Sequence, residues 1–263
     1  MKKLFPILAA MLLVLLSVAG LAEAGDKTNH PPKTDVEVAA MFAAADIQPY
    51  TEADGNLKML DSIWIYFTDG TFEQFADVDD RVRLFSAGTY ELLNEASFVY
   101  ENSGAGNGQI IIRREKKLNA NGLEDYQSER TYDLGTLGFT QLYAPNHDRK
   151  VAAVFYGCDK QPYADSDGDR KLLDTWWVYY ANGTFEQFAI VDDAPAKKVV
   201  LFSEGDYQLR DGSSFAYENA GDTCSITIHR TAKYSQDGLA PYDSIHDYEL
   251  GALGFTRIVA IDP

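Results

Sequence analysis

The chain has 263 residues, 46% hydrophobic and 13% aromatic, with a formal net charge of −17. That length holds one large or two modest packed domains, and so much apolar and aromatic side chain excludes global disorder. So acidic a surface repels nucleic acid and anionic lipid, which sets both aside as partners.

Residues 1–24 read MKKLFPILAAMLLVLLSVAGLAEA. Lys2 and Lys3 precede an apolar run over 4–18, and small residues end it at Ala22-Glu23-Ala24. This is the pattern of a bacterial secretory signal peptide cleaved near Ala24. A retained anchor is the competing reading, but the run is short for a span. The expected localisation is secreted or extracytoplasmic, with no membrane span in the mature chain. Residues 25–36, polar and carrying Pro31-Pro32, read as a linker.

The segment GTFEQFA occurs at 70–76 and again at 183–189. The same offset of 113 relates Gln48-Pro49-Tyr50 to Gln161-Pro162-Tyr163. It becomes 117 where Leu84-Phe85-Ser86 matches Leu201-Phe202-Ser203, and 116 where Tyr132 and Leu134 match Tyr248 and Leu250. A period this long fits two tandem domains rather than a solenoid. They span 37–144 and 150–263, with a short joint between them.

Within each copy the signals are those of strands. Residues 62–68 are aromatic and β-branched, Asp69-Gly70 follows as a turn pair, and 71–76 completes a hairpin. Further strands are expected at 82–85, 89–92, 97–101, 109–114, 130–134 and 140–143, with breaks at 86–88, 102–108 and 119–122. The Ala-rich segment 36–47 could be a helix by itself. Its partner from Lys150 onward reads as a strand, so both are taken as strands. Seven to eight antiparallel strands per copy predict an all-β chain of two up-and-down barrels or sandwiches.

A two-residue turn pairs Trp64 with Phe75 and Tyr66 with Glu73, placing all four on one face. Copy two repeats that face unchanged as Trp177, Tyr179, Glu186 and Phe188. The other face drifts, Ile63 becoming Trp176 and Phe67 becoming Tyr180. The unchanged face is therefore expected to point inward. Arg114 shares a phase with Ile110 and Ile112, as Arg230 does with Ile226 and Ile228. A buried Arg needs an acceptor, and Glu73–Arg114 and Glu186–Arg230 contacts are expected. These ten residues are the candidate ligand-binding set, with a structural Glu–Arg–Tyr network as the plainer reading.

Other chemistry is thinner. Asp165, Asp167 and Asp169 in DSDGD could hold calcium, or form an acidic turn; no other cofactor is expected. Cys158 and Cys224 could form a disulfide in an oxidising compartment, or remain two buried thiols. Glycoside hydrolysis needs two facing carboxylates, and Glu73 with Glu101 is the pair that can be named. His30, His147, His229 and His246 lack metal-ligand spacing.

The run Trp64-Ile65-Tyr66-Phe67-Thr68-Asp69-Gly70-Thr71-Phe72, with Gly88-Thr89-Tyr90-Glu91-Leu92 after it, resembles bacterial secreted lipocalin-like (calycin-type) domains. Copy two repeats the pattern from Trp177 and at Gly205-Asp206-Tyr207. The glycine-x-tryptophan opening of true lipocalins is absent, since Ser62 and Ile63 precede Trp64. The resemblance implies two tandem up-and-down barrels. The expected role is non-enzymatic binding of a small apolar or sugar-like molecule. The alternatives are a filled structural module that docks an extracellular protein, and a carboxylate-dependent hydrolase.

Overall fold

The computed structural model describes residues 33–99, 108–135, 138–145, 149–164, 168–193, 196–216, 224–235 and 237–261. The chain is all-β. One seven-stranded antiparallel sheet holds β1 (Val38–Thr51), β2 (Leu57–Phe67), β3 (Thr71–Asp77), β4 (Val82–Leu93), β5 (Gln109–Asn119), β6 (Gly122–Asp133) and β7 (Thr140–Tyr143). The second holds β8 (Val151–Ala164), β9 (Arg170–Tyr180), β10 (Thr184–Asp193), β11 (Ala196–Leu209), β12 (Ser225–Ser235), β13 (Gly238–Glu249) and β14 (Thr256–Ala260), with a 3-10 turn (Leu250–Leu253) before the last strand. Both have the same order: six strands meander, and the seventh returns to lie beside the first. Among the described residues no ladder joins β6 to β7 or β13 to β14. No helix there is long and apolar enough to cross a membrane. The signal-like segment lies outside the described residues.

The turn after β2 differs from expectation. Tyr66 pairs with Phe72, Ile65 with Glu73 and Trp64 with Gln74, one residue away from the expected register. Gly70 donates its N–H to the Phe67 carbonyl at 3.1 Å and sits at φ 83°. The loop is therefore three residues, a turn closed by a left-handed glycine, which is the next commonest hairpin after the two-residue form. The Asp69 carboxylate accepts from the Thr71 N–H at 2.9 Å and its hydroxyl at 2.6 Å. Asn182 does the same for Thr184 at 3.1 and 2.8 Å, so Asp and Asn interchange here because both supply a side-chain oxygen. The extra loop residue turns β3 over relative to β2. Phe72 and Gln74 now share a face with Trp64 and Tyr66, while Glu73 and Phe75 join Ile63 and Ile65.

A second correction concerns 86–88, which is no break but the middle of β4. A Cβ on Gly88 would lie 2.0 Å from the Arg113 carbonyl oxygen, and one on Gly205 2.0 Å from that of His229. Glycine stands there because two backbones cross closely at a register shift. Residues 97–99 are not strand, and the rest of the expected 97–101 strand lies outside the described residues.

The two halves pack through the drifting face. Ile63, Ile65, Phe67 and Phe75 form one buried cluster with Trp176, Val178, Tyr180 and Phe188, their own counterparts in the repeat. The opposite face of each sheet forms its own cluster. In the first half it joins Phe42, Trp64, Tyr66 and Phe72 to Ile110 and Ile112, so β1, β2, β3 and β5 contribute to one cluster on that face. The second half repeats this with Phe155, Trp177, Tyr179, Phe185, Ile226 and Ile228. β1 lies under both clusters, with Met41 and Ala43 facing one and Ala40 and Phe42 the other. Its alanines are small enough to be covered on both sides. Glu37 and Lys150, equivalent in the repeat, pair across the halves at 2.6 Å.

Trp176 is fully buried at the centre of this contact. Trp176→Ala is expected to cost about 3–5 kcal/mol, read by urea denaturation, with both halves lost in one transition. Leu172→Ala, on the exposed part of the same strand, should stay within about 0.5 kcal/mol of the parent.

Candidate functional site

Alternation along β9 sends Trp177 and Tyr179 to the concave face of the second sheet, and the same phase on β12 brings Ile228 and Arg230 over them. These residues line a cleft of about 320 Å³. β13 adds Tyr242, His246 and Tyr248, and Phe255 and the 3-10 turn close one side. Trp177 stacks on Phe185 at 5.4 Å and on Tyr179 at 6.1 Å. The Arg230 guanidinium lies 5.2 Å above the Trp177 ring and donates to the Tyr248 hydroxyl at 3.1 Å.

The first half repeats the aromatic stack and the cation above it. Arg114 lies 5.1 Å above Trp64, which stacks on Phe72 at 5.4 Å and Tyr66 at 6.3 Å. Of the fifteen residues lining the second cleft, thirteen have an identical residue at the repeat-equivalent position. The exceptions are Lys160, matched by Ile47, and His246, matched by Arg130. In both halves the indole Nε1 (Trp64, Trp177) and a neighbouring hydroxyl (Ser128, Ser244) are buried without a protein partner.

The structure thus brings together Trp64, Tyr66 and Arg114, and Trp177, Tyr179 and Arg230, but not the acids expected with them. Glu73, Phe75, Glu186 and Phe188 lie on the opposite face because β3 and β10 are turned over, and the Glu73–Arg114 and Glu186–Arg230 contacts do not form. Each Arg meets an indole face instead, a cation–π contact that needs no counter-charge. Glu186 accepts from Arg149 Nη1 and from the Tyr180 hydroxyl, both at 2.6 Å. Burial, and then that carboxylate, pushes the Tyr180 phenol up. Glu73 is buried on the face toward the second sheet. Glu101, its suggested hydrolytic partner, lies outside the described residues.

Sequence reasoning missed the polar floor of each half. Gln74 donates to Gln48 at 2.7 Å and accepts from Ser86 at 2.8 Å. Gln187 repeats this with Gln161 at 2.6 Å and Ser203 at 2.7 Å. Tyr90 and Tyr207 were missed as well. Each donates at 2.8 Å to the carbonyl of the residue that ends the neighbouring hairpin strand, Phe67 or Tyr180. Burial pushes both phenols up to about 12. The available signal was their identity in both copies.

Cys158 and Cys224 are free thiols in separate clusters, one between the sheets and one on the concave face of the second, so the expected disulfide does not form. Asp165 and Asp167 of the expected calcium loop lie outside the described residues, and Asp169 is exposed. A different group gathers between the halves: Asp77, Cys158 and Asp174 each place a donor atom within 4.8 Å of the others, close enough to hold a cation or share protons. Asp174 accepts from the Asp159 N–H at 2.9 Å and the Tyr156 hydroxyl at 3.3 Å. Burial pushes its carboxyl up to about 7, and burial also raises Asp77 and Cys158. The equivalent Asp61 has Lys197 beside it at 3.8 Å.

A carboxyl raised in the folded state stabilises most when both states are protonated, and that stability is lost as pH rises from its unfolded value to its folded one. Relative to the parent, Asp174→Asn is therefore expected to gain stability between about pH 4 and about pH 7, then level off. Thermal melts of both proteins across that range check this; a constant difference would contradict it. Set against family models, curated proteins and solved structures, the chain matches none of them.

Proposed function

We propose that this is an exported, non-enzymatic binding protein built by duplication of a lipocalin-like, barrel-shaped unit, and that each half takes one small organic ligand in its aromatic cleft. One observation carries the reading: thirteen of the fifteen cleft residues are identical between halves, while the face that joins the halves has changed at Ile63/Trp176, Ile65/Val178 and Phe67/Tyr180. Packing alone tolerates exchange among apolar residues of similar volume, so a retained mixed set of Trp, Tyr, Arg, Lys and Ser fits recognition better than filling. The cleft volume lies at the lower end of the ~300–1,000 Å³ range of small-molecule sites. No carboxylate lines the cleft among the described residues, which leaves a carboxylate-dependent hydrolase with nothing there to carry it.

A second reading has its own observation. Leu123 and Tyr126 on β6, and Leu239, Tyr242 and Ile245 on β13, are exposed on strands that end their sheets. Such edges suit docking of an extracellular protein strand.

Leu253, at the cleft's edge and about one-third exposed, separates the two. Leu253→Trp is expected to fill the second cleft without disturbing the sheet. Native mass spectrometry of the exported chain should show up to two small ligands bound to the parent and one to the variant. A parent that binds no small molecule, but whose β6 and β13 edges capture an extended peptide, would overturn the first reading in favour of the second.

A further inference from the structure

We propose that both clefts are built for an organic anion, a carboxylate on a flat or aliphatic apolar body, and that one chain binds two. The proposal rests on the binding reading above and names the ligand's chemistry.

The charge distribution argues first. The chain has 40 acidic residues against 23 Lys and Arg, so carboxylate partners for its cations are plentiful. On β5, Arg113 pairs with Glu91 at 3.0 Å and Glu129 at 2.6 Å, and Lys116 pairs with Asp125. On β12, His229 sits between Asp206 at 3.1 Å and Asp243 at 2.9 Å. The cations of the other phase do not follow this pattern. Arg114 lies over Trp64, Lys117 at 5.2 Å over Tyr126, Arg230 over Trp177 and Lys233 at 5.4 Å over Tyr242. None of these four has a carboxylate partner among the described residues. Like charges gathered in one cleft repel one another, and an anionic guest removes that cost.

The two substitutions between the clefts argue next. The second cleft has Lys160, Arg230 and Lys233. At the equivalent positions the first has Ile47, Arg114 and Lys117, which is one cation fewer, yet Arg130 stands where the second has His246. Each set of equivalent positions so holds three permanent cations, the third having changed strand. A structural role for one Arg–Trp stack explains Arg114 and Arg230 but not a conserved total.

The donors complete the case. Trp177 is more than nine-tenths buried, and neither its Nε1–H nor the Ser244 hydroxyl has a protein partner; Trp64 and Ser128 repeat both. A buried donor left unpaired is costly, and here the same two are carried twice. The Arg230 guanidinium spends one donor on Tyr248 and has others left. Acceptor oxygens would suit this inventory, with the aromatic walls covering the apolar body.

Acid–amide pairs sharing one body provide the test: benzoate and benzamide, 2-naphthoate and 2-naphthamide, octanoate and octanamide. These are titrated into the full exported chain by tryptophan fluorescence and native mass spectrometry. At least one acid is expected to bind two per chain, about tenfold or more tighter than its amide, and to weaken with added salt. Arg230→Gln and Arg114→Gln should each weaken one site by roughly tenfold to a hundredfold, with circular dichroism confirming the fold. Should either fail to fold, Lys233→Gln and Lys117→Gln test the same clefts from their rims. An amide that binds as tightly as its acid would overturn the anion while leaving the binding reading standing. Unchanged affinity in folded Arg variants, or no binding by any acid, would likewise overturn it. The Leu253→Trp comparison then decides the binding reading separately.

Discussion

The contact between the sheets is the constraint from which the rest follows. Ile63, Ile65 and Phe67 meet Trp176, Val178 and Tyr180 in one continuous buried cluster, so the central strands of each half are covered on their outer face. A strand covered on both sides can be built from alternating large apolar residues without a solvated row. That is how β2 and β9 come to carry near-continuous aromatic and aliphatic sequence. With the outer face committed to the partner half, the concave face is the one left to line a cleft.

The two faces then evolve under different rules. Across the contact each side chain must complement another that has itself changed, so an Ile opposite a Trp satisfies the volume as well as two residues of middling size. Inside each concavity the neighbours are polar and directional: an indole under a guanidinium, a glutamine between a second glutamine and a serine, a phenol on a hairpin carbonyl. Such groups cannot be exchanged for others of equal volume without leaving donors unmet. Drift in the repeat falls mainly on apolar positions between the sheets, while the directional groups of the concavity are identical in both halves.

Much of this was legible in the sequence. Internal repetition located both halves, Asp69-Gly70 and Asn182-Gly183 located the central hairpins, and the constancy of Trp64 and Tyr66 against the drift of Ile63 and Phe67 separated the faces of β2. Phasing also placed Arg114 correctly with Ile110 and Ile112. The failures share one physical origin: a single residue of register. Two- and three-residue loops use the same Asp-Gly pair, and only the Gly70 N–H contact with the Phe67 carbonyl distinguishes them; choosing wrongly moved Glu73 and Phe75 to the wrong face and invented an acid for Arg114. Gly88 was misread because a glycine at a close crossing looks, in sequence, like a glycine at a turn. The grouping of Asp77, Cys158 and Asp174 had no local signal, since the three come from strands of different halves.

The Glu37–Lys150 pair has a consequence for assembly. Equivalent positions of a repeat meet where two like units face each other around an approximate dyad. Were the first half to dimerise with itself in this manner, glutamate would oppose glutamate; the second half would set lysine against lysine, and its Trp176 against another Trp176. Each half is thus complementary to the other at these positions and would set like charges together against a copy of itself, which favours the cis pairing over crossed oligomers between chains.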